Sequence, residues 1–130
     1  MATRAAIRAA AFRSALRSFL RTSERIARDN GLTPQRYVLL LMIKGAPDGS
    51  ERATVGELVE RLELAQSTVT ELVQRAEDVG LLTRERSPTD ARIDYLRLTP
   101  EAERRLAGSA GELANERHRL YRILDDLQRG

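Results

Sequence analysis

Six polar residues fall close together in the middle of the chain: Gln66, Ser67, Thr68, Thr70, Gln74 and Arg75. Wound into a helix at about 100° per residue, they lie away from Val69, Leu72, Val73, Ala76 and Val79, which form the apolar stripe of a packed face. Glutamine pairs with adenine and arginine with guanine through two parallel hydrogen bonds, so this polar face carries the chemistry of base recognition. For Ser67 and Thr68 the competing reading is helix capping alone. Just beyond come Arg84, Arg86 and Arg92, on or beside a turn-rich tip, Ser87-Pro88-Thr89-Asp90-Ala91. Arginine is planar, always charged and suited to phosphate or a narrow minor groove. Asp90, two residues before Arg92, is placed to orient its guanidinium. Thr54 stands at the start of another helix, where a phosphate can bind, although a plain cap with Glu57 is the simpler reading.

The elements that position these residues can be read from periodicity and punctuation. The polar helix ends at Gly80, and strands over Leu82 to Arg86 and Ile93 to Leu98 form a hairpin whose Leu96 and Leu98 share one face. Before the helix, Glu63-Leu64-Ala65 is a turn, and Val55, Leu58, Val59 and Leu62 are the inner side of a helix capped by Thr54 and Glu57. Arg52 and Ala53 suit a short strand beside the hairpin. Tyr37 to Ile43 is apolar all round, as in a buried central helix that starts at Thr33-Pro34. A long helix covers Ala5 to Asp29. A last one opens at Thr99-Pro100-Glu101 and runs to about Leu127, with Leu106, Leu113, Leu120 and Leu127 at seven-residue intervals and Ala110 and Leu124 widening the stripe. Gly108 and Gly111 in it mark a bend or a close backbone approach. A reading helix beside a basic hairpin tip is the layout of a winged helix-turn-helix. The expected fold is mainly α with a small antiparallel β-wing.

The sequence resembles the MarR family of bacterial transcription regulators. The matching stretches are GLTPQRYVLLLMI, TVGELVERLELAQSTVTELVQRAEDVGLLTRE and SPTDARIDYLRLTPEAERRL, with Asp90, Arg92, Leu98 and Thr99 matching in order and spacing. The resemblance implies a homodimer on double-stranded DNA, two reading helices entering successive major grooves of a pseudo-palindromic site. It implies dimerisation helices over residues 1–30 and 100–130 and a DNA-binding unit over residues 31–99. Phe12, Leu16, Phe19, Leu106, Leu113, Leu120, Leu124 and Leu127 are the dimer residues it suggests. With no separately capped helix visible after Leu127, the first and last helices alone would form that dimer. The family further implies a repressor released by a small aromatic or anionic effector lodged between the dimer helices and the reader. Tyr37, Phe12 and Phe19 either line such a pocket or are core. Glu71 departs from the family pattern, in which a basic residue is frequent at this place. It accepts from a cytosine amino group, orients Arg75, or repels phosphate. The alternative reading is a winged-helix protein-interaction module without specific DNA binding.

Composition narrows the field. There is no cysteine and one histidine, His118, so thiol redox sensing, cysteine-based zinc and a histidine-rich metal site are excluded. No glycine-rich phosphate loop or nucleophile constellation is present, and Asp125-Asp126 is an adjacent pair rather than two carboxylates across a cleft. No enzyme, metal or cofactor is therefore expected. No apolar run is long enough to span a membrane, and the arginine-rich start lacks a continuous apolar signal core, so a cytoplasmic protein is expected. The net charge is +3. Residues 1–30 hold seven arginines against Glu24 and Asp29, whereas residues 66–99 hold five arginines against six acids. A reader of net charge −1 argues against a charge-driven, nonspecific binder and is compatible with a specific one. The arginine stripe Arg13, Arg17, Arg21, Arg25 and Arg28 reads as a solvated face, or as a contact for phosphate or for acids across a dimer.

Overall fold

The computed structural model describes residues 1–129, and Gly130, the end of the expected C-terminal segment, lies outside them. Seven elements follow in order: α1 (Thr3–Asp29), α2 (Pro34–Lys44), α3 (Val55–Leu62), α4 (Gln66–Asp78), β1 (Leu82–Arg86), β2 (Asp94–Leu98) and α5 (Pro100–Arg129). The caps explain most of the boundaries. The Thr33 hydroxyl accepts from the Arg36 N–H at 3.2 Å, with Pro34 in the first turn, where its missing N–H is not needed. Thr54 and Glu57 form a reciprocal capping box at 3.1 and 2.9 Å. Past α3, Glu63 adopts a left-handed conformation (φ 54°) and turns the chain into α4. Gly80 (φ 76°) turns it again towards β1, at a backbone angle that side-chain-bearing residues resist.

The strands pair antiparallel, Leu82 opposite Leu98 and Arg86 opposite Asp94. The expected third strand is a single bridge: Ala53 and Leu96 exchange backbone hydrogen bonds at 3.2 and 2.8 Å. One core unites all of this. Leu39, Leu40 and Ile43 of α2, Leu58 of α3, Val69, Val73 and Ala76 of α4, Leu81, and Leu96 of β2 are all completely shielded. Ile26 and Ala27 of α1 and Ala102, Leu106 and Leu113 of α5 belong to the same cluster. No described helix is long and apolar enough to cross a membrane.

Three expectations change. The central helix is not buried all round: Val38 is 38% and Leu41 40% exposed, because neighbours cover only the side bearing Tyr37, Leu39, Leu40 and Ile43. Val79 is 50% exposed, because it caps α4 beyond the last packed turn. Leu106 and Leu113, expected at the dimer contact, lie in the core cluster of their own chain. Of the two glycines in α5, Gly108 marks a close approach, with Asn30 Oδ1 2.6 Å from where a Cβ would stand, whereas nothing lies within 4 Å of that point at Gly111.

Thr99 joins two parts of this frame. Its hydroxyl donates to the Gly80 carbonyl at 2.7 Å and accepts from the Ala102 N–H at 3.2 Å, so it clamps the α4–β1 turn and caps α5 together. Thr99→Ala is expected to lower unfolding stability by about 1–2 kcal/mol. Urea titration measures this, and an unchanged midpoint would show that the clamp contributes nothing.

Candidate nucleic-acid interface

The outward face of α4 follows from its buried one. With Val69, Val73 and Ala76 completely shielded, all six residues singled out on this helix (Gln66, Ser67, Thr68, Thr70, Gln74 and Arg75) are exposed. Ala65 occupies the N-cap and no side chain caps the helix, so Ser67 and Thr68 do not serve as caps. Two pairs organise the middle of the face. Arg75 Nη2 donates to Glu71 Oε1 at 2.6 Å, and Gln74 Nε2 donates to Asp78 Oδ1 at 3.0 Å. Of the roles open to Glu71, the orientation of Arg75 is realised.

The hairpin tip is built by local hydrogen bonds. The buried Ser87 hydroxyl accepts from the backbone N–H groups of Thr89 and Asp90 at 3.3 and 3.2 Å. Asp90 in turn receives Arg92 three times: its backbone N–H at 3.0 Å, Nε at 3.2 Å and Nη2 at 3.3 Å. The Arg92 side chain remains 89% exposed, so it is aimed outward without being covered. Arg86 is 72% exposed and only loosely associated with Asp94 at 4.0 Å. Arg84 departs from the expectation. Its Nε bonds both carboxylate oxygens of Glu77 at 3.1 Å, so it ties β1 back to α4 rather than reaching outward. The sequence alone singles out neither Glu77 nor the hydrogen-bonding role of Ser87. Only the serine at the head of a Ser-Pro-Thr-Asp turn gave any signal of its role.

Thr54 is engaged as a plain cap, and the anion position at the start of α3 is filled by the chain's own Glu57 carboxylate. That end of α3 nevertheless lies beside the wing, where Thr54, Val55 and Gly56 share a cleft of about 360 Å³ with Arg84, Arg92, Ile93 and Asp94.

Comparison with known proteins bears on this geometry. A sequence model of the MarR family matches residues 30–93, from the residue after α1 to the one before β2. A candidate transcriptional regulatory protein for the hcr operon of Thauera aromatica is 31% identical over 117 residues, 90% of this chain and 66% of its own length. The chain belongs to the MarR family of transcriptional regulators. Members of this family are DNA-binding regulators, not enzymes. The crystal structure of Sco3205, a MarR-family regulator of Streptomyces coelicolor in complex with DNA, superposes with a TM-score of 0.75 at 19% identity, covering 99% of this chain and 86% of that one. BpsR of Bordetella bronchiseptica, whose DNA binding is regulated by 6-hydroxynicotinic acid, superposes with a TM-score of 0.60 at 18% identity, covering 91% and 90%. At these identities the two structures bear on the fold alone.

In this MarR-family chain the residues suggested for dimer contacts divide in two. Leu106 and Leu113 are internal, as described above. Phe12, 44% exposed, lines a cleft of about 890 Å³ between the first turns of α1 and the last turns of α5, with Tyr121, Leu124 and Leu127. Leu16 is half-buried on α1, beside an exposed Leu20 and Arg13, Arg17 and Arg21. Phe19 and Leu120 face one another across a small gap between α1 and α5. Phe12, Phe19 and Tyr37 therefore do not share one pocket. Tyr37 alone reaches the cleft between α2 and α5, about 290 Å³, floored by Leu41, Leu106, Ala110 and Leu113 with Lys44 and Arg117 among its lining residues. Burial pushes the Tyr37 phenol above its ordinary pKa, against the opposing effect of Arg117. The hydrogen bonds that Lys44 donates to Glu51 and then to Glu103 hold its ammonium above the usual lysine range.

The side-chain and then the backbone hydrogen bonds from Arg92 hold the Asp90 carboxyl below its ordinary value of about 3.9. A depressed carboxylate contributes order that is present at neutral pH and is lost only as pH falls through the folded-state pKa. The Asp90 carboxyl, followed by NMR, is expected to titrate below the ordinary aspartate midpoint, and Arg92→Ala to move that midpoint upward. An identical midpoint in the variant would show that the pair does not form in solution.

Proposed function

We propose that this chain is a homodimeric transcriptional repressor that binds a pseudo-palindromic double-stranded DNA operator in the cytoplasm and is released by a small anionic or aromatic ligand. One observation carries the reading: an exposed, polar α4 face stands beside a wing tip whose Arg92 is aimed outward by Asp90. In this reading α4 enters the major groove, with Gln66, Ser67, Thr68, Thr70, Gln74 and Arg75 towards base edges and flanking phosphates. Arg92 and Arg86 take the backbone or minor groove, Asp90 orients, and Arg84 braces the wing. The Thr54 cleft admits a phosphate only on its wing side. Residues 31–99 are the DNA-binding unit, and residues 1–30 and 100–130 hold the dimer.

The apolar surface left open by α1 and α5, including Phe12, Leu124 and Leu127, supports pairing with a second copy. The α2–α5 cleft supports the effector reading. It joins an apolar floor to the phenol of Tyr37 and to Arg117, which has no acidic partner within ion-pair distance among the described residues. Lys44 is bridged to Glu51 and Glu103, both at 2.9 Å, so a ligand carboxylate is directed to Arg117 rather than to Lys44. The second reading, a protein-interaction module, is favoured by one feature: the single cation on the α4 face, Arg75, is already paired to an acid.

Selection of bound sequences from a random duplex pool, followed by anisotropy titration at two salt concentrations, separates the two. The expected winner is a pseudo-palindrome bound about a thousandfold more tightly than random duplex. Enrichment of nothing, with weak and steeply salt-dependent binding, would favour the interaction module. Arg92→Ala is expected to weaken binding to all sequences and to lower the salt slope by about one, whereas an unchanged slope removes the wing from the contact. Phe12→Asp, followed by sedimentation, is expected to raise the dimer dissociation constant by about tenfold or more, the effect of losing a buried aromatic at an interface. A dimer indifferent to it rests elsewhere.

A further inference from the structure

Glu71 holds an unusual position for an acid on a reading helix. The three shielded residues Val69, Val73 and Ala76 define the inward direction of α4. At about 100° per residue, Glu71 lies within about 20° of the opposite direction. It is thus at the centre of the surface that would meet a groove floor, whereas phosphates line the groove edges. Only its Oε1 is engaged, by Arg75. Oε2 has no hydrogen-bond partner among the described residues, and the two side chains are 62% and 65% exposed.

An ionised carboxylate only accepts hydrogen bonds. On major-groove edges most groups are acceptors too: guanine N7 and O6, adenine N7 and thymine O4. A carboxylate pressed onto those loses its hydration without compensation. The cytosine 4-amino group is a donor, and its partner guanine offers the two acceptors that suit an arginine fork. An acid and an arginine locked together, one donor fork beside one free acceptor oxygen, therefore match the edge of a G·C pair. An A·T pair sets its one donor between two acceptors and adds a methyl group. The ion pair also cancels the charge that would otherwise repel DNA.

We propose that Glu71 and Arg75 read as a unit, selecting one G·C pair in each half-site. Glu71 Oε2 accepts from the cytosine amino group, and Arg75 donates to the guanine of that pair or of its stacked neighbour. Glu71 is thereby a specificity-determining residue. This rests on the operator-binding reading above.

The test is sequence selection from a random duplex pool with the full chain and with Glu71→Ala, Glu71→Gln and Arg75→Ala, unfolding curves confirming that each variant is folded. Wild type is expected to fix one cytosine per half-site, and replacing that C·G pair by T·A to weaken binding by about ten- to a hundredfold. Glu71→Ala is expected to flatten that position alone. Glu71→Gln is expected to shift it towards adenine, which an amide pairs with twice. Arg75→Ala is expected to relax the guanine at that pair or the adjacent one. A Glu71→Ala variant that keeps the same cytosine preference overturns the inference, whether it binds all sequences more tightly or not. A folded Glu71→Ala that binds nothing also overturns it, because Glu71 then serves affinity rather than choice. A wild type that enriches no motif overturns the operator-binding reading, and this inference with it.

Discussion

The rotational setting of α4 is the constraint on which the remaining geometry depends. Val69, Val73 and Ala76 are completely shielded in a core shared with Leu39, Leu40 and Ile43 of α2 and Leu58 of α3. Turning the helix by one residue's angle would bring a valine into water and a polar neighbour into the core. Burying a valine is worth about 1.5–3 kcal/mol, and burying a charge without a partner costs more. The outward display of Ser67, Glu71 and Gln74 is therefore a product of core packing. Exposed ion pairs such as Glu71–Arg75 are worth about 0–1 kcal/mol, enough to orient a side chain but not to hold a helix.

The same core anchors the wing at its root, where Leu96 pairs with both Ala53 and β1. Its tip depends on short-range bonds through Ser87 and Asp90. Charges near the reader are largely neutralised within it: Arg75 by Glu71, Arg84 by Glu77, Arg92 by Asp90. Arg13, Arg17 and Arg21 of α1, by contrast, are exposed and have no acid within ion-pair distance among the described residues. The excess positive charge thus sits on a terminal helix. For α4 and the hairpin, net attraction to any polyanion is weak at long range, so on the operator-binding reading discrimination would rest on matched short-range contacts.

What could be read in the sequence was local. Thr33-Pro34, Thr54 with Glu57, Gly80 and Asp90 with Arg92 each act within a few residues, and the structure realises each of them. What could not be read was which neighbour covers an apolar or charged side chain. The seven-residue leucine stripe of α5 is continuous in sequence, yet Leu106 and Leu113 face their own core while Leu120 faces α1. Periodicity states that a face is covered but not by what. Arg84 and Arg86 look alike on a basic strand, and only the approach of Glu77 from α4 separates a brace from an outward cation. Val38 and Leu41 show the converse, since their apolar character does not reveal that the described elements leave them partly exposed.

The position of α2 links the two ends of the molecule. It touches α1, α3, α4, β2 and α5. Its Leu39, Leu40 and Ile43 side seats the core on which α4 rests, while Tyr37, Leu41 and Lys44 line the cleft shared with α5. A close-packed interior has little slack, so a group lodged beside Tyr37 cannot move α2 without disturbing the seat of α4. Lys44 strengthens this link, since it is bonded both to Glu51 in the loop after α2 and to Glu103 in α5. Position alone does not make such a cleft a switch. A ligand shifts the reader only by the difference between its affinities for two arrangements of α2 against α5, and reversing a 99:1 preference takes about 5.5 kcal/mol of that difference. A ligand that merely filled the cleft in its present shape would stabilise the present reader. On the effector reading proposed above, one that releases DNA would have to favour another arrangement of α2 against α5, and Arg117, exposed on α5 and free of any acidic partner among the described residues, is the cation of this cleft left to hold it.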